Sequence, residues 1–330
     1  MQVSFIIPLH NCLALTQAML ASLRATLPPG LDCEIILVDD ASTDGTRAWL
    51  KNLPPPCRPL LNERNLGFAA TCNRGAATAT GELLFFLNND LVLLPRWLEP
   101  MRAALGHFPD AGLVGNVQRN AATGALDHAG IFFDHKGKPA HEVSPARFAR
   151  WREVDALTGA CFALRREVWE KLGGFDEGFV NGGEDIDLCL RARRAGLRNF
   201  VALRSVVRHH ISASAGRKLR DEQNTFRLVR RWQERIAQLA ARDWSRHFVE
   251  QHWDQSFVFD YTLGREALAY WSGLLPFVPV GVDEGVRAAL AVELARWQRL
   301  CDTAESGEAQ VVGPSPRHGS ANLDQVRQIL

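Results

Sequence analysis

The sequence predicts an α/β fold: a mostly parallel, doubly wound sheet with flanking helices, followed by a C-terminal helical appendage. Three observations carry this. Short apolar runs alternate with helical stretches across short links from residue 3 to about residue 117, the pattern of parallel strands joined by crossover helices. The run Leu83-Leu84-Phe85-Phe86-Leu87 stops abruptly in Asn88-Asn89-Asp90, which fits a strand buried on both faces with its polar residues at the carboxyl end. An earlier strand, residues 33–38, ends in Asp39-Asp40, so acidic groups fall twice on one edge of the sheet, where ligands bind in open α/β structures.

Taken in order, residues 3–8 read as a first buried strand, followed by Leu9-His10-Asn11 and a helix over 13–27 that ends at Pro28-Pro29-Gly30. After strand 33–38, Ser42-Thr43-Asp44-Gly45 offers several helix-capping residues and opens a helix to about 53. Leu60-Leu61 is a short third strand, and a helix rich in small residues covers 69–79. The central run 82–90 is followed by a helix from Pro95 to about residue 105 and a strand over 112–117. Periodicity is lost over 119–152, an excursion across the surface of the kind that often covers a substrate. Apolar, strand-like sequence returns over 154–164, and a short helix over 166–172 stops at Gly173-Gly174. Glu184-Asp185 begin a helix to about 195, and residues 206–212 form a last short strand ending in His209 and His210. A charged helix spans 218–240, with Arg217, Lys218, Arg220, Arg227, Arg230 and Arg231 concentrated near its start and middle; it reads as a solvated face, with a local phosphate or membrane-surface patch as the alternative. Beyond it, 263–274 and 284–300 have helical spacing, and 306–322 is polar and rich in Gly, Pro and Ser. The expected division is a domain over 1–240 and a helical extension over 241–330, flexible near 306–322.

Composition narrows the function. The chain has 330 residues, 46% of them hydrophobic, and a formal net charge of +1. There is no global basic field for nonspecific nucleic-acid binding, so an anionic ligand must be held locally. The seven cysteines are scattered without a Cys-x-x-Cys pair, which reads as reduced thiols in a cytoplasmic protein rather than a disulfide framework or zinc site. The first residues are already strand-like, which predicts no signal peptide, and no apolar run reaches the ~18 residues of a membrane span. The nearest, 271–280, contains two prolines. A Gly-x-Gly-x-x-Gly after the first strand and a P-loop are both missing, which disfavours dehydrogenases and P-loop NTPases.

The chemistry-bearing residues sit at the predicted strand ends and at one helix start. Asp90 can hold a hard divalent cation, and the Asn88 and Asn89 amides suit sugar or ribose hydroxyls; the plainer alternative is that all three cap the next helix. Asp39 can accept from the imide N–H of a uracil or thymine ring, and the backbone at Gly67 can approach a ligand closely; a turn-and-cap role is the alternative for Asp39-Asp40. Glu184 and Asp185 lie in a first helical turn, where the dipole favours negative charge. An ionised Asp185 can serve as a general base, though acids are ordinary there as well. Two histidines at a strand end, in a chain with an Asn-Asn-Asp cluster suited to a metal, are candidate ligands.

These residues together resemble family 2 glycosyltransferases of the GT-A fold, and especially the rhamnosyltransferase-like branch. The matching stretches are Phe5-Ile6-Ile7-Pro8-Leu9-His10-Asn11, Leu37-Val38-Asp39-Asp40-Ala41-Ser42-Thr43-Asp44-Gly45, Asn65-Leu66-Gly67-Phe68 with Asn73-Arg74-Gly75, Phe86-Leu87-Asn88-Asn89-Asp90, Thr158-Gly159-Ala160-Cys161, and Gly173-Gly174-Phe175-Asp176-Glu177 running into Gly183-Glu184-Asp185-Ile186-Asp187. They occur in the family's order over about residues 3–214 and leave the tail after 240 uncovered.

The resemblance implies an inverting transfer of a sugar from a dTDP-hexose such as dTDP-rhamnose, or a UDP-sugar, to a hydroxyl of a glycan or lipid-linked acceptor in cell-surface polysaccharide synthesis. It implies that Pro8, Asn11, Asp39, Asp40, Asn65, Gly67 and Asn73, with Asn88 and Asn89, bind the nucleotide sugar. Asp90 would ligate Mg²⁺ or Mn²⁺ with His209 as a further contact, and Asp185 would be the base, oriented by Glu184. Asn88 stands where the family's Asp-x-Asp motif begins with Asp, which removes one negative charge from the metal site. Apart from the resemblance, the expected setting is cytoplasmic, and the basic helix with the 271–280 run permits, without requiring, peripheral contact at the inner face of the cytoplasmic membrane. A nucleotide-sugar-binding scaffold without catalysis is the competing reading, and retention of Asp39, Asp90 and Glu184-Asp185 together argues against it. A nucleotidyltransferase would instead call for a Gly-rich basic loop where Leu9-His10-Asn11-Cys12 stands.

Overall fold

The computed structural model describes residues 1–144, 149–210, 221–253 and 261–305. Ile211, Ser212, the basic residues Arg217, Lys218 and Arg220, and the segment 306–322 lie outside the described residues. Strands β1 (Val3–Leu9), β2 (Cys33–Asp39), β3 (Cys57–Leu61) and β4 (Leu83–Leu87) alternate with helices α1 (Leu13–Thr26), α2 (Thr46–Leu50) and α3 (Phe68–Ala77). Then come β5 (Leu91–Leu93), α4 (Leu98–His107), β6 (Ala111–Asn120) and three short strands, β7 (Leu126–His128), β8 (Ile131–Phe133) and β9 (Pro139–His141). The chain continues through β10 (Trp151–Val154), β11 (Cys161–Arg165), α5 (Arg166–Leu172), α6 (Glu184–Arg194) and β12 (Arg198–His209). Helices α7 (Asp221–Trp253), α8 (Tyr261–Trp271) and α9 (Val280–Glu305) complete it.

The main sheet runs β10-β12-β6-β11-β4-β1-β2-β3, with β5 on β12 and β7 on β6; β8 and β9 form a separate hairpin. Neighbours from β4 to β3 are parallel, and so are β6 and β12. β11 lies antiparallel between β4 and β6, so the sheet is mixed where the sequence suggested a mostly parallel one. Apolar content declares that a strand is buried but not its direction.

Side-chain alternation along β4 builds the two layers of the core. Phe86 points to one face, stacked on Phe162 at 4.7 Å and tilted against Trp169 at 4.5 Å. Phe85 points to the other, 5.6 Å from Phe5 and edge-on to Trp97 at 5.9 Å. The first layer continues into α3, α6, α7 and α9, the second into α1 and α4. All seven cysteines are free thiols, and burial pushes the Cys72, Cys161 and Cys189 thiols up.

Several boundaries differ from expectation for identifiable reasons. The excursion over 119–152 contains β7, β8 and β9, each three residues long and too short to show a period. The apolar stretch 154–164 divides into the end of edge strand β10 and the interior strand β11, with the loop through Thr158-Gly159-Ala160 between them. The last strand is twelve residues long, not a short one starting at 206. The helix expected after Gly45 shrinks to α2, closed off by Pro54-Pro55-Pro56, and α4 starts at Leu98 rather than Pro95 because Arg96 is left-handed (φ 66°). Helix α7 crosses residue 240 without ending and has one non-helical residue, Trp232. No helix among the described residues is long and apolar enough to cross a membrane.

Candidate active site

A cleft of about 320 Å³ opens where β1, β2 and β4 end and α6 begins. Pro8 and His10 line one side, the Asn65–Gly67 loop and Asp40 another, and Asn88, Asn89 and Asp90 the end of the central strand; Glu184 and Asp185 close it from α6. The two acidic clusters read from the sequence therefore share one cavity.

Consecutive residues at the end of β2 part ways. Asp39 is fully buried beneath the edge, where Oδ2 accepts from Arg47 Nε (2.7 Å) and the Ser42 amide (3.2 Å), and Oδ1 has no hydrogen-bond partner. Asp40, one residue on, lines the cleft. It accepts from the amides of Leu66 (2.7 Å) and Gly67 (2.9 Å) and from Asn62 Nδ2 (2.8 Å), which pins the 65–67 loop beside it. Gly67 has φ 87°, a conformation a side chain would strain. Asn11 faces the loop after β2, not the cleft: its Oδ1 accepts from the amides of Thr43 (2.8 Å) and Asp44 (3.3 Å). Asn73 also lies away from the cleft, bonded to the Phe175 backbone and Glu177.

At the end of β4, Asn89 donates to Thr16 Oγ1 (2.9 Å). Asn88 Oδ1 and Asp90 Oδ1 are both buried without a hydrogen-bond partner. His209, at the end of β12, brings Nε2 to 3.1 Å from Asp90 Oδ1, an ion-pair distance that lacks hydrogen-bond alignment. Buried oxygens left unsatisfied are costly unless something occupies them. Carboxylate and amide oxygens with one imidazole nitrogen suit Mg²⁺ or Mn²⁺, so these residues fit a divalent cation. Among the described residues, no group of three or more His, Cys, Asp or Glu side chains forms a ready-made metal cage.

Asp185 is held from two sides. Oδ2 accepts from the Gly159 amide at 2.6 Å and Oδ1 from the Ile186 amide at 2.8 Å. A Cβ on Gly159 would stand 3.2 Å from that of Asp185, so the loop approaches this closely only because residue 159 is glycine. Glu184 is buried and accepts from the Gly182 amide at 2.7 Å. Gly183 precedes α6 at φ 90°, with the Phe179 ring 3.1 Å from where a Cβ would be. Further along α6, Asp187 is fully buried between Arg191 Nε (2.7 Å) and Trp232 Nε1 (2.9 Å), which ties the helix to α7.

Four contributing residues have no role assigned from the sequence. Asn181, left-handed at φ 55°, accepts from the Phe68 amide (3.1 Å), joining the α6 approach to the α3 start across 113 positions. Its sequence signal is an Asn just before Gly182-Gly183. Thr158 and Gly159 belong to a noted motif that suggested no role. His128 is fully buried on β7, and its Nε2 accepts from the amides of Gly130 (3.2 Å) and Thr158 (3.4 Å). Burial, with Arg152, His141 and His209 nearby, pushes this imidazole well below its ordinary range, so it is neutral. Nothing in its three-residue strand marks it.

The fold is that of GT-A glycosyltransferases. It superposes on a crystal structure of GalNAc-T7 with UDP, GalNAc and Mn²⁺ with a TM-score of 0.60 at 19% identity, over 75% of this chain and 51% of that one. The family follows from the sequence match: the model described as glycosyl transferase family 2 covers residues 4–173, and the chain belongs to that family. A model described as the N-terminal domain of galactosyltransferase covers 142–213. The O-antigen biosynthesis protein RfbC of Myxococcus xanthus is 35% identical over 64% of this chain, which spans 18% of that protein. The N-acetylglucosaminyl-diphospho-decaprenol L-rhamnosyltransferase of Mycobacterium tuberculosis is 27% identical over 56% of this chain and 68% of its own length.

Proposed function

We propose that this chain is an inverting glycosyltransferase that moves a hexose from a nucleotide-diphosphate donor, a dTDP-rhamnose-like or UDP-sugar, to a hydroxyl of a glycan or lipid-linked acceptor. One observation carries the reading: Asp185 and Asp90, on α6 and at the end of β4, wall the same 320 Å³ cleft. The names of the M. xanthus and M. tuberculosis relatives support the acceptor class. Pro8, Asn65, Gly67 and Asp40 would hold the base and ribose, with Asp39 bracing the loop from beneath, while Asn11 and Asn73 act at a distance by fixing neighbouring loops. Asn88 and Asn89 would meet the donor sugar.

A divalent cation held by Asp90 and His209 would neutralise charge on the departing diphosphate, in keeping with the Mn²⁺ in the GalNAc-T7 complex. Asp185 takes the proton of the acceptor hydroxyl while that oxygen bonds to the anomeric carbon. The bond to the diphosphate oxygen breaks, and the nucleoside diphosphate leaves with the electron pair. Two backbone N–H donors hold the Asp185 carboxylate in place as the proton acceptor, and Glu184 fixes the loop before it.

Residues 1–240 would form the transferase unit, and the helical extension would continue from it through α7, which crosses that boundary unbroken. The loop between α8 and α9 exposes Leu274 and Phe277, and α9 opens on an exposed Val280, which supports contact with the inner face of the cytoplasmic membrane. The test is thermal stabilisation by dTDP, UDP, GDP and CDP with and without Mn²⁺, followed by transfer from the matching sugar nucleotide. A shift with dTDP or UDP that grows with Mn²⁺ is expected. Absence of any shift in folded protein would overturn the reading, and a shift with neither transfer nor donor hydrolysis would favour a binding scaffold.

A further inference from the structure

A second cavity of about 270 Å³ lies against the same Asp185. It shares Thr158, Glu184 and Asp185 with the donor cleft, and its remaining walls come from Gly182, Gly183 and Ile186 at the start of α6, the β8–β9 hairpin and the start of α7. We propose that this pocket takes the terminal, uncharged sugar ring of the acceptor, and that helices α7 and α9 serve to hold its hairpin wall in place. The proposal rests on the transferase reading above and assigns the second substrate of that reaction to a place.

Position is the first argument. A base must reach the acceptor hydroxyl on one side and leave the anomeric carbon in line on another. Asp185 is common to both cavities, so a hydroxyl entering from the second meets the base beside the donor.

The lining is the second. Ile131, Ile186 and Leu228 give an apolar floor, while Thr225, Asp221 and Lys138 give polar walls. Among the described lining residues the carboxylates of Asp221, Glu184 and Asp185 outnumber Lys138 and His141, which disfavours direct seating of a diphosphate. An apolar face with hydroxyl-bonding groups around it matches a pyranose ring, and the volume is at the small end of ligand sites.

The third argument is how the hairpin is anchored. Gly137, at its tip with φ 75°, fits where a Cβ would meet Leu290 of α9 at 2.5 Å and Ile236 of α7 at 3.1 Å. The His135 amide donates to Asp243 of α7 at 2.9 Å, the His135 ring stacks 3.7 Å from His247, and Lys136 lies 3.8 Å from Glu293 of α9. At its other end the hairpin is joined to the 154–160 loop by the bond from the Ile131 amide to Ala156 (2.9 Å). Asn224 of α7 bonds both backbone groups of Val180, which fixes the opposite lip. The C-terminal helices thus hold two walls of the pocket without entering the donor cleft.

The experiment is saturation-transfer NMR on the full chain with methyl N-acetyl-β-glucosaminide as probe, in wild type and in Thr225→Trp, which fills the pocket, and Lys138→Trp at its exposed rim. Wild type should show probe signal, and each folded variant should lose most of it while its dTDP- or UDP-induced melting shift stays unchanged. Where transfer to N-acetylglucosaminyl-diphospho-polyprenol is measurable, the variants should raise acceptor KM about ten-fold with donor KM unaltered. No probe signal in wild type, retained signal in both folded variants, or a parallel loss of the nucleotide shift would overturn the assignment. Failure of the transferase reading shows separately, as probe binding in a protein that neither transfers nor hydrolyses any donor.

Discussion

Replacing Asp185 by Asn removes the proton acceptor, and the structure adds a second consequence. The carboxylate gives one oxygen to the Gly159 amide (2.6 Å) and the other to the Ile186 amide (2.8 Å). Asparagine has one oxygen and one NH₂, so whichever way the amide turns, a donor faces a donor at one of these contacts. An N–H left without its acceptor costs about 1–3 kcal/mol, which lowers the melting temperature by roughly 1–4 °C in a chain of this size. Loss of a general base costs about 10²–10⁴ in turnover. Asp185→Asn should therefore show both effects while the nucleotide-induced melting shift survives, because Asp40, the Asn65–Gly67 loop and the end of β4 are untouched. The assays are single-turnover transfer, thermal unfolding, and unfolding with nucleotide. A folded variant within about threefold of wild-type kcat would refute the base assignment. Normal stability would refute the claim that both amides depend on Asp185.

Four further outcomes are expected. Asp90→Ala should abolish the extra stabilisation that Mn²⁺ adds to nucleotide, read by thermal shift, while nucleotide alone still binds. Gly159→Ala should push a methyl towards Asp185 from 3.2 Å and lower kcat about ten-fold with little change in donor KM, checked by steady-state kinetics. Gly183→Ala should destabilise the fold by about 1–2 kcal/mol through its left-handed backbone, measured by urea unfolding. His128 is held neutral with its pKa well below the ordinary 6.5, so the unfolded chain binds the proton more readily. Stability should then fall as pH drops below about 6.5, by up to ~1.4 kcal/mol per pH unit, and His128→Gln should flatten that slope in unfolding curves recorded between pH 7.5 and 5.5.

The parallel half of the sheet was legible because β1, β2 and β4 are apolar runs ending in polar clusters, and their period and punctuation are local. Direction and partner order are not local. β11 reads like any buried strand, and only its partners β4 and β6 reveal that it runs the other way. The same limit separates Asp39 from Asp40. Adjacent residues at a strand end point to opposite sides, and two neighbouring aspartates look alike until Arg47 is found beneath one and the Leu66 and Gly67 amides beside the other. The partners of His128 and the seat of Gly137 were unreadable for that reason too: each depends on segments distant in the chain.

Those distant contacts make the candidate site one unit. The α3 start is tied to Asp40 through two backbone amides and to Asn181 through a third. Asn181 leads through Gly182 and Gly183 into Asp185, and Asp185 is fixed to the 158–160 loop by Gly159. That loop in turn rests on β11, whose neighbour β4 carries Asn88 through the bond from its amide to Ala160 (2.8 Å). The path closes on itself, from nucleotide loop to base to central strand, through backbone groups whose geometry does not depend on long flexible side chains. A base positioned this way is aligned before substrate arrives, which limits the reorganisation left for the chemical step. It also explains why small residues recur around the site: at Gly67, Gly159 and Gly183 either the backbone must take a left-handed turn or another chain segment must come within contact distance of it.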